Sequence, residues 1–171
     1  MVNTVKRKYV ILSVLTTLII LMDQVTKYMV VDHFRYGESV PMIPGFFSLT
    51  YIRNTGAAFG FLATANPSFR VPFFLVVPII AMVVLGFLYR DLPQDARVRS
   101  MALGLVSGGA LGNLIDRVRL GYVVDFLDFH YKNEYYFPAF NVADSAICVG
   151  VAILLLSTMT KREIDHASYP V

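Results

Sequence analysis

Apolar residues gather into four long stretches, separated by two aromatic-rich segments and one short charged loop. Tyr9 to Met22 is almost unbroken, and counting on to Val31 gives the ~20 residues needed to cross a hydrocarbon core. The same reading predicts transmembrane helices over about 9–31, 71–89, 100–118 and 141–160. Lys6, Arg7 and Lys8 ahead of the first run have the look of a signal peptide. No small-residue cleavage site follows, however, only MDQVTKYMVV, so this helix is expected to be retained.

The segment 32–70 contains Pro41, Pro44 and Gly45, then the alternating phrase FFSLTYIRN, which predicts strands at or just outside the interface with Asn54-Thr55-Gly56 as a turn. Asn66-Pro67-Ser68 then caps or precedes the second span. Pro72 suits an early helical position, and Pro78 is expected to kink the helix. RDLPQDARVR is a short polar loop. SGGALGN in the third span supplies small residues for close helix contact. The segment 119–140 is rich in Tyr and Phe, rings that collect at membrane boundaries.

Composition strengthens the membrane reading. Of the 171 residues 56% are hydrophobic and 16% charged, against about 25% charged in soluble domains. One cysteine, Cys148, excludes an internal disulfide framework and a thiol-based metal site, and is expected to serve as a small core hydrophobe. The net charge of +3 fits anchoring by flanking Lys and Arg, and no basic run is dense enough for nucleic acid.

Four spans bring both termini to one side. Lys6, Arg7, Lys8, Arg90, Arg97, Arg99, Lys161 and Arg162 fall on that side, while Arg35, Arg53, Arg70, Arg117, Arg119 and Lys132 fall on the other. The basic residues concentrated in short flanks assign the termini to the cytoplasm. With that topology Asp23, Lys27, Asn113, Asp116, Arg117, Asn141 and Asp144 all lie at the outer ends of helices, with Asp125 in the outer loop between the last two. The inner halves of the spans are nearly free of ionisable groups. A conduit needs polar steps at several depths, so a single layer favours a site.

Asp23 and Lys27, four apart, share a helix face and are read as a structural ion pair. Asp116 and Arg117 are neighbours, point in different directions and need separate partners. Arg117 can alternatively orient a carboxylate or hold a lipid phosphate. Asp125 and Asp144 each have apolar neighbours. Two carboxylates close together in a poorly solvated place cannot both ionise easily, and such a pair activates water without a metal or a nucleophilic side chain. Spacing leaves Asp128 open beside Asp125, and Asp144 alone also reads as a carboxylate stabilised at a helix N-terminus. His33, His130 and His166 have no metal-site spacing. Ser107 and Ser145 lack an activating base, and no GxSxG occurs. An ion-coupled transporter and a non-catalytic scaffold are the rival readings. The first predicts polar groups through the inner halves or a repeated half, and neither is evident.

MDQVTK, NTGAAFGF, SGGALGNLIDRVRLGYVVDF and FNVADSAI, in this order, closely resemble the bacterial lipoprotein signal peptidases, the signal peptidase II family. The resemblance implies one integral membrane peptidase domain over 1–171. That fold is an all-α membrane protein of four transmembrane helices with a small periplasmic β-rich platform and a periplasmic loop or lid. It implies an aspartyl endopeptidase of the bacterial inner membrane, acting near the periplasmic face as a monomer without metal or other cofactor. Its substrate would be a diacylglyceryl-modified prolipoprotein cut just before the lipidated cysteine, and its inhibitors of the globomycin type. The catalytic pair falls on Asp125 and Asp144, against Asp128, and support positions fall on Asp23, Lys27, Asn54, Gly56, Gly108, Asn113, Asp116, Arg117 and Asn141. A platform from 32–70 and a lid from 119–140 are expected to flank the site.

Overall fold

A helix from Arg97 to Leu120 forms the centre of the molecule, because its small residues let two neighbouring backbones come close. A Cβ on Gly104 would stand 2.9 Å from Leu15 Cβ and one on Gly108 2.7 Å from Ile19 Cβ, so this face seats the first helix. A Cβ on Gly109 would collide with the Ala143 carbonyl of the last helix. Close backbone approach of this kind is what small residues provide within membranes, where burial of apolar side chains gives no drive to associate.

The computed structural model describes residues 5–57, 61–90, 92–93, 96–132 and 134–168. In chain order the elements are α1 (Val5–His33), β1 (Ser39–Ile43), β2 (Phe47–Asn54), α2 (Pro67–Arg90), α3 (Arg97–Leu120), β3 (Val123–Tyr131), β4 (Tyr135–Tyr136) and α4 (Val142–Ser168). Four helices among the described residues are long and apolar enough to cross a membrane. Each helix runs past the expected span at one or both ends, since helical hydrogen bonding continues through polar flanks that a hydropathy reading leaves out.

Matching neighbours fix the directions. Leu12 to Asp23 of α1 meets Gly104 to Gly112 of α3 in parallel, whereas Gly109 meets Ala143 and Gly150 meets Ala102, so α4 runs antiparallel. Val10, Val14, Leu18, Leu21 and Val25 form an exposed apolar stripe on α1, away from α3 and suited to lipid. The mean hydropathy follows the same logic, 1.2 for the protein-covered α3 and 2.3 for α2. Asn66 caps α2 by accepting the Ser68 N–H at 2.9 Å, with Pro67 as the first helical residue, where a missing N–H costs nothing. At the same end of the bundle as the chain termini, Lys8 is buried rather than interfacial. Its ammonium donates to the carbonyls of Tyr89, Arg90 and Leu92 at 3.3, 3.4 and 2.8 Å, closing the C-terminus of α2.

At the opposite end sits a sheet of order β1-β2-β3-β4. This corrects two expectations. The platform is not made from 32–70 alone, and 119–140 is not a single lid: its middle, Val123–Tyr131, is the strand β3, paired antiparallel with β2. Asp125 therefore stands on a strand and not in a loop. VVDFLDFHY reads as interfacial because its aromatics are frequent, but alternate residues bury against different partners. After β4 the chain returns along β3, with Phe137 N–H donating to Phe129 O and Phe140 bridging Leu127. Val30 at the end of α1 packs with Tyr51, Val124 and Phe126, which fixes the sheet on the bundle.

One irregularity in β2 matters for the site. Leu49 pairs with Leu127 and Ile52 with Asp125, so three steps on β2 match two on β3. The extra residue is a bulge, and it reverses which side chains face which way beyond it. Without it Arg53 would occupy the face where Asn54 now meets Asp125.

Candidate active site

Asp144 owes its position to the start of α4. Asn141 is the N-cap: its Oδ1 accepts the Asp144 N–H at 2.9 Å, and Asp144 Oδ2 in return accepts the Asn141 N–H at 3.2 Å. This reciprocal capping box holds the carboxylate at the positive end of the helix. Asp125 is brought opposite by β3 and is 2% exposed.

Three asparagines turn their amide groups toward these acids. Asn54 Oδ1 accepts the Gly56 N–H at 2.9 Å, which leaves its Nδ2 to donate to Asp125 Oδ2 at 2.9 Å. Asn141 Oδ1 is held by the Asp144 N–H, so its Nδ2 donates to Asp125 Oδ1 at 2.7 Å. Asn113 Oδ1 accepts from the Lys27 ammonium at 2.8 Å, so its Nδ2 donates to Asp144 Oδ1 at 2.8 Å. In each case the fixing group can only donate, which decides the orientation of the amide. All four oxygens of the two carboxylates thus accept one hydrogen bond apiece.

Burial and the neighbouring charge of Asp144 push the Asp125 carboxyl up to about 7, against the opposing effect of Asn54, Asn141 and Lys27. A carboxyl so placed holds or releases a proton near neutral pH.

Behind this pair lies a second one. Lys27 contacts Asp23 at 2.9 Å and Asp116 at 3.0 Å, all three buried. Asp23 Oδ1 accepts the Ala143 N–H and Asp116 Oδ2 the Val124 N–H, each at 3.0 Å. The residues they grip immediately precede Asp144 and Asp125. Gln24, which sequence reasoning passed over, donates to Asp116 Oδ1 at 2.9 Å and Gly112 O at 3.2 Å. Its one signal was its place beside Asp23 in an apolar run.

A cavity of about 490 Å³ opens on the acids. Asn54, Asn113, Arg117, Asp125 and Asp144 form its polar wall, and Ala57, Val123, Phe137, Pro138, Ala139, Phe140, Ile147 and Cys148 its apolar wall. Arg117 donates to Gly56 O at 3.0 Å and lies over the Phe74 ring at 4.9 Å, so it and Asp116 do take separate partners. Gly56 has no room for a side chain, since a Cβ would stand 2.5 Å from Phe61 O. Gly108 serves α1 packing and not the cavity. Cys148, expected in the core, is exposed: one turn beyond Asp144 it forms part of the cavity wall. Asp128 lies three residues from Asp125, hence on the other face of β3, and accepts from Thr50 Oγ1 at 2.8 Å. Among the buried charged residues described, all but Lys8 lie at the sheet end.

Fold and site together define a helical membrane protein that shelters a pair of carboxylates at one end of its bundle. The chain belongs to the signal peptidase II family, whose profile matches residues 15–160, and it is a multi-pass membrane protease. Its sequence is 52% identical to a lipoprotein signal peptidase of Syntrophotalea carbinolica over 147 residues, covering 86% of this chain and 89% of that one. A lipoprotein signal peptidase of Geobacter metallireducens is 50% identical over 88% of this chain and 91% of its own. A bacterial membrane enzyme solved by the in meso method at 2.3 Å superposes with a TM-score of 0.78 at 34% identity, with 88% of each chain covered.

Proposed function

We propose that the chain is an aspartyl endopeptidase in which Asp125 and Asp144 carry the chemistry. It removes the signal peptide of a diacylglyceryl-modified prolipoprotein by cutting before the lipidated cysteine. The observation that supports this most directly is the meeting of Asp125 and Asp144 on one cavity, each oxygen held by a neutral donor and neither acid in a salt bridge among the described residues. Asp125 holds the proton at rest, in keeping with its raised value. Asp144 takes a proton from water, whose oxygen attacks the scissile carbonyl carbon, while Asp125 gives its proton to the carbonyl oxygen. In the collapse of the tetrahedral intermediate Asp144 returns its proton to the leaving nitrogen. Asp125 recovers one from the hydroxyl as the C–N bond breaks. Both acids end as they began.

Lys27, Asp23, Asp116 and Gln24 hold the backbone beside each acid, Asn54, Asn113 and Asn141 hold the acids themselves, and Gly56 and Arg117 shape the approach to them. Gly108 keeps α1 close enough for this. The substrate's acyl chains remain in the bilayer while its peptide enters the cavity, near the periplasmic face of the inner membrane, and both termini lie in the cytoplasm. Inhibitors of the globomycin type fill the same cavity. Every group named comes from one chain, so a monomer suffices. Among the described residues the buried ionisable groups other than Lys8 lie at one end, which speaks against a carrier.

The experiment is cleavage of a lipidated prolipoprotein by purified protein in lipid. The wild type cuts and Asp125→Asn and Asp144→Asn do not; full cleavage by either variant would refute the assignment.

A further inference from the structure

The bulge that turns Asn54 toward the acids turns Arg53 to the opposite face of the sheet, where it enters a group of three tyrosines. Its guanidinium carbon lies 4.8 Å from the Tyr36 ring centre, 5.1 Å from Tyr122 and 5.3 Å from Tyr51. Nε donates to the Tyr51 hydroxyl at 3.1 Å, and that hydroxyl meets Tyr122 Oη at 3.3 Å. Stacking and the Nε bond fix the plane of the guanidinium. The residue is exposed, and among the described residues its two terminal nitrogens make no hydrogen bond and no carboxylate forms a salt bridge with it. A planar fork held in place with its outer donors free matches the paired oxygens of a phosphodiester.

The depth of this group identifies the source of that phosphate. Tyr36 follows the end of α1 by three residues and Tyr122 the end of α3 by two, so the rings stand where two spans leave the hydrocarbon. Tyrosines favour that level because the ring is apolar and the hydroxyl wet. Lipid phosphates lie at the same level.

We propose that Arg53, within the Tyr36–Tyr51–Tyr122 group, binds the phosphodiester of a membrane phospholipid. Such a contact tethers the end of β2 to the bilayer surface one residue before Asn54, on the face of the sheet away from the cavity. The site is distinct from the peptidase cavity and does not rest on the assignment of the acids.

The test is native mass spectrometry of the detergent-solubilised full chain with short-chain phosphatidylglycerol, diacylglycerol of the same chains, or inorganic phosphate. Phosphatidylglycerol should bind the wild type. Arg53→Gln should weaken that binding about tenfold or more, and Arg53→Lys less, because an ammonium keeps the charge and loses the fork. Tyr36→Leu should weaken it by a smaller factor, and Arg35→Gln, which removes a nearby exposed cation, should leave it unchanged. Diacylglycerol should bind alike to wild type and Arg53→Gln. Equal retention of phosphatidylglycerol by Arg53→Gln would overturn the proposal. An equal loss in Arg35→Gln would do the same, since general surface charge would then be the cause. Inorganic phosphate binding as tightly as the lipid would show a soluble-anion site instead.

Discussion

Two pairs of aspartates lie at the same end of this bundle and are treated in opposite ways. Asp23 and Asp116 share one buried lysine, and each also accepts a backbone N–H. Among the described residues Asp125 and Asp144 accept hydrogen bonds only from the neutral amides of Asn54, Asn113 and Asn141 and one backbone N–H. A full positive charge holds a carboxylate in one protonation state and one geometry. Neutral donors orient it without that full charge, and against their modest pull burial and the charge of Asp144 carry Asp125 up to about 7. The first pair builds, and the second, on our proposal, reacts. Lys27 joins them: its ammonium spans Asp23 and Asp116 and also fixes Asn113, whose amide reaches Asp144.

The sharpest division between the pairs should appear in activity. Asp125→Asn and Asp144→Asn are each expected to reduce cleavage on the order of 10³-fold or more while the thermal unfolding midpoint in detergent does not fall below that of the wild type. Lys27→Met should act the other way round on stability. It leaves two buried carboxylates without their cation, at a cost of about 3–5 kcal/mol, read as a large fall in the unfolding midpoint. A Lys27→Met protein as stable as the wild type would erase the distinction drawn here. Gly112→Ala is a milder probe, because the new Cβ would stand 2.6 Å from Asp23 Oδ2 and push that carboxylate off Ala143. A loss of about 1–3 kcal/mol is expected from such overpacking, measured by the same unfolding assay.

The pH profile sharpens the comparison further. If Asp125 must start protonated, kcat/KM falls as pH rises through about 7. Asn54→Leu removes a donor that favours the charged form, so this alkaline limb should move upward, by about half to one pH unit. Stability carries a smaller version of the same signal. The folded value lies above the ordinary 3.8, so the contribution of this group is complete below that pH and is lost as pH rises through about 7. The unfolding midpoint of Asp125→Asn should therefore gain on that of the wild type from about pH 4 to about pH 7 and keep a constant lead above that.

Much of this arrangement was legible in the chain because membranes punish misplaced polarity. Asp23, Lys27, Asn113, Asp116 and Asp144 stand out against apolar runs, and their common depth follows from counting spans. The strand β3 did not stand out, because its partner β2 lies some seventy residues earlier and its aromatics suit an interface equally well. Nor could the bulge be read, since register depends on both strands at once, and with it went the reason Asn54 and not Arg53 meets Asp125. Gln24 and Lys8 were hidden for a related cause. Their partners, Asp116 and the end of α2, are brought to them only by helix packing.

Infrared difference spectroscopy of the protein in lipid, with pH stepped across neutrality, tests the contrast between the pairs most directly. The account predicts a protonated-carboxyl band that disappears with a midpoint near 7, is absent from Asp125→Asn and shifts in Asp144→Asn. A band that survives unchanged in Asp125→Asn, or no carboxyl proton lost anywhere near neutral pH, would contradict it.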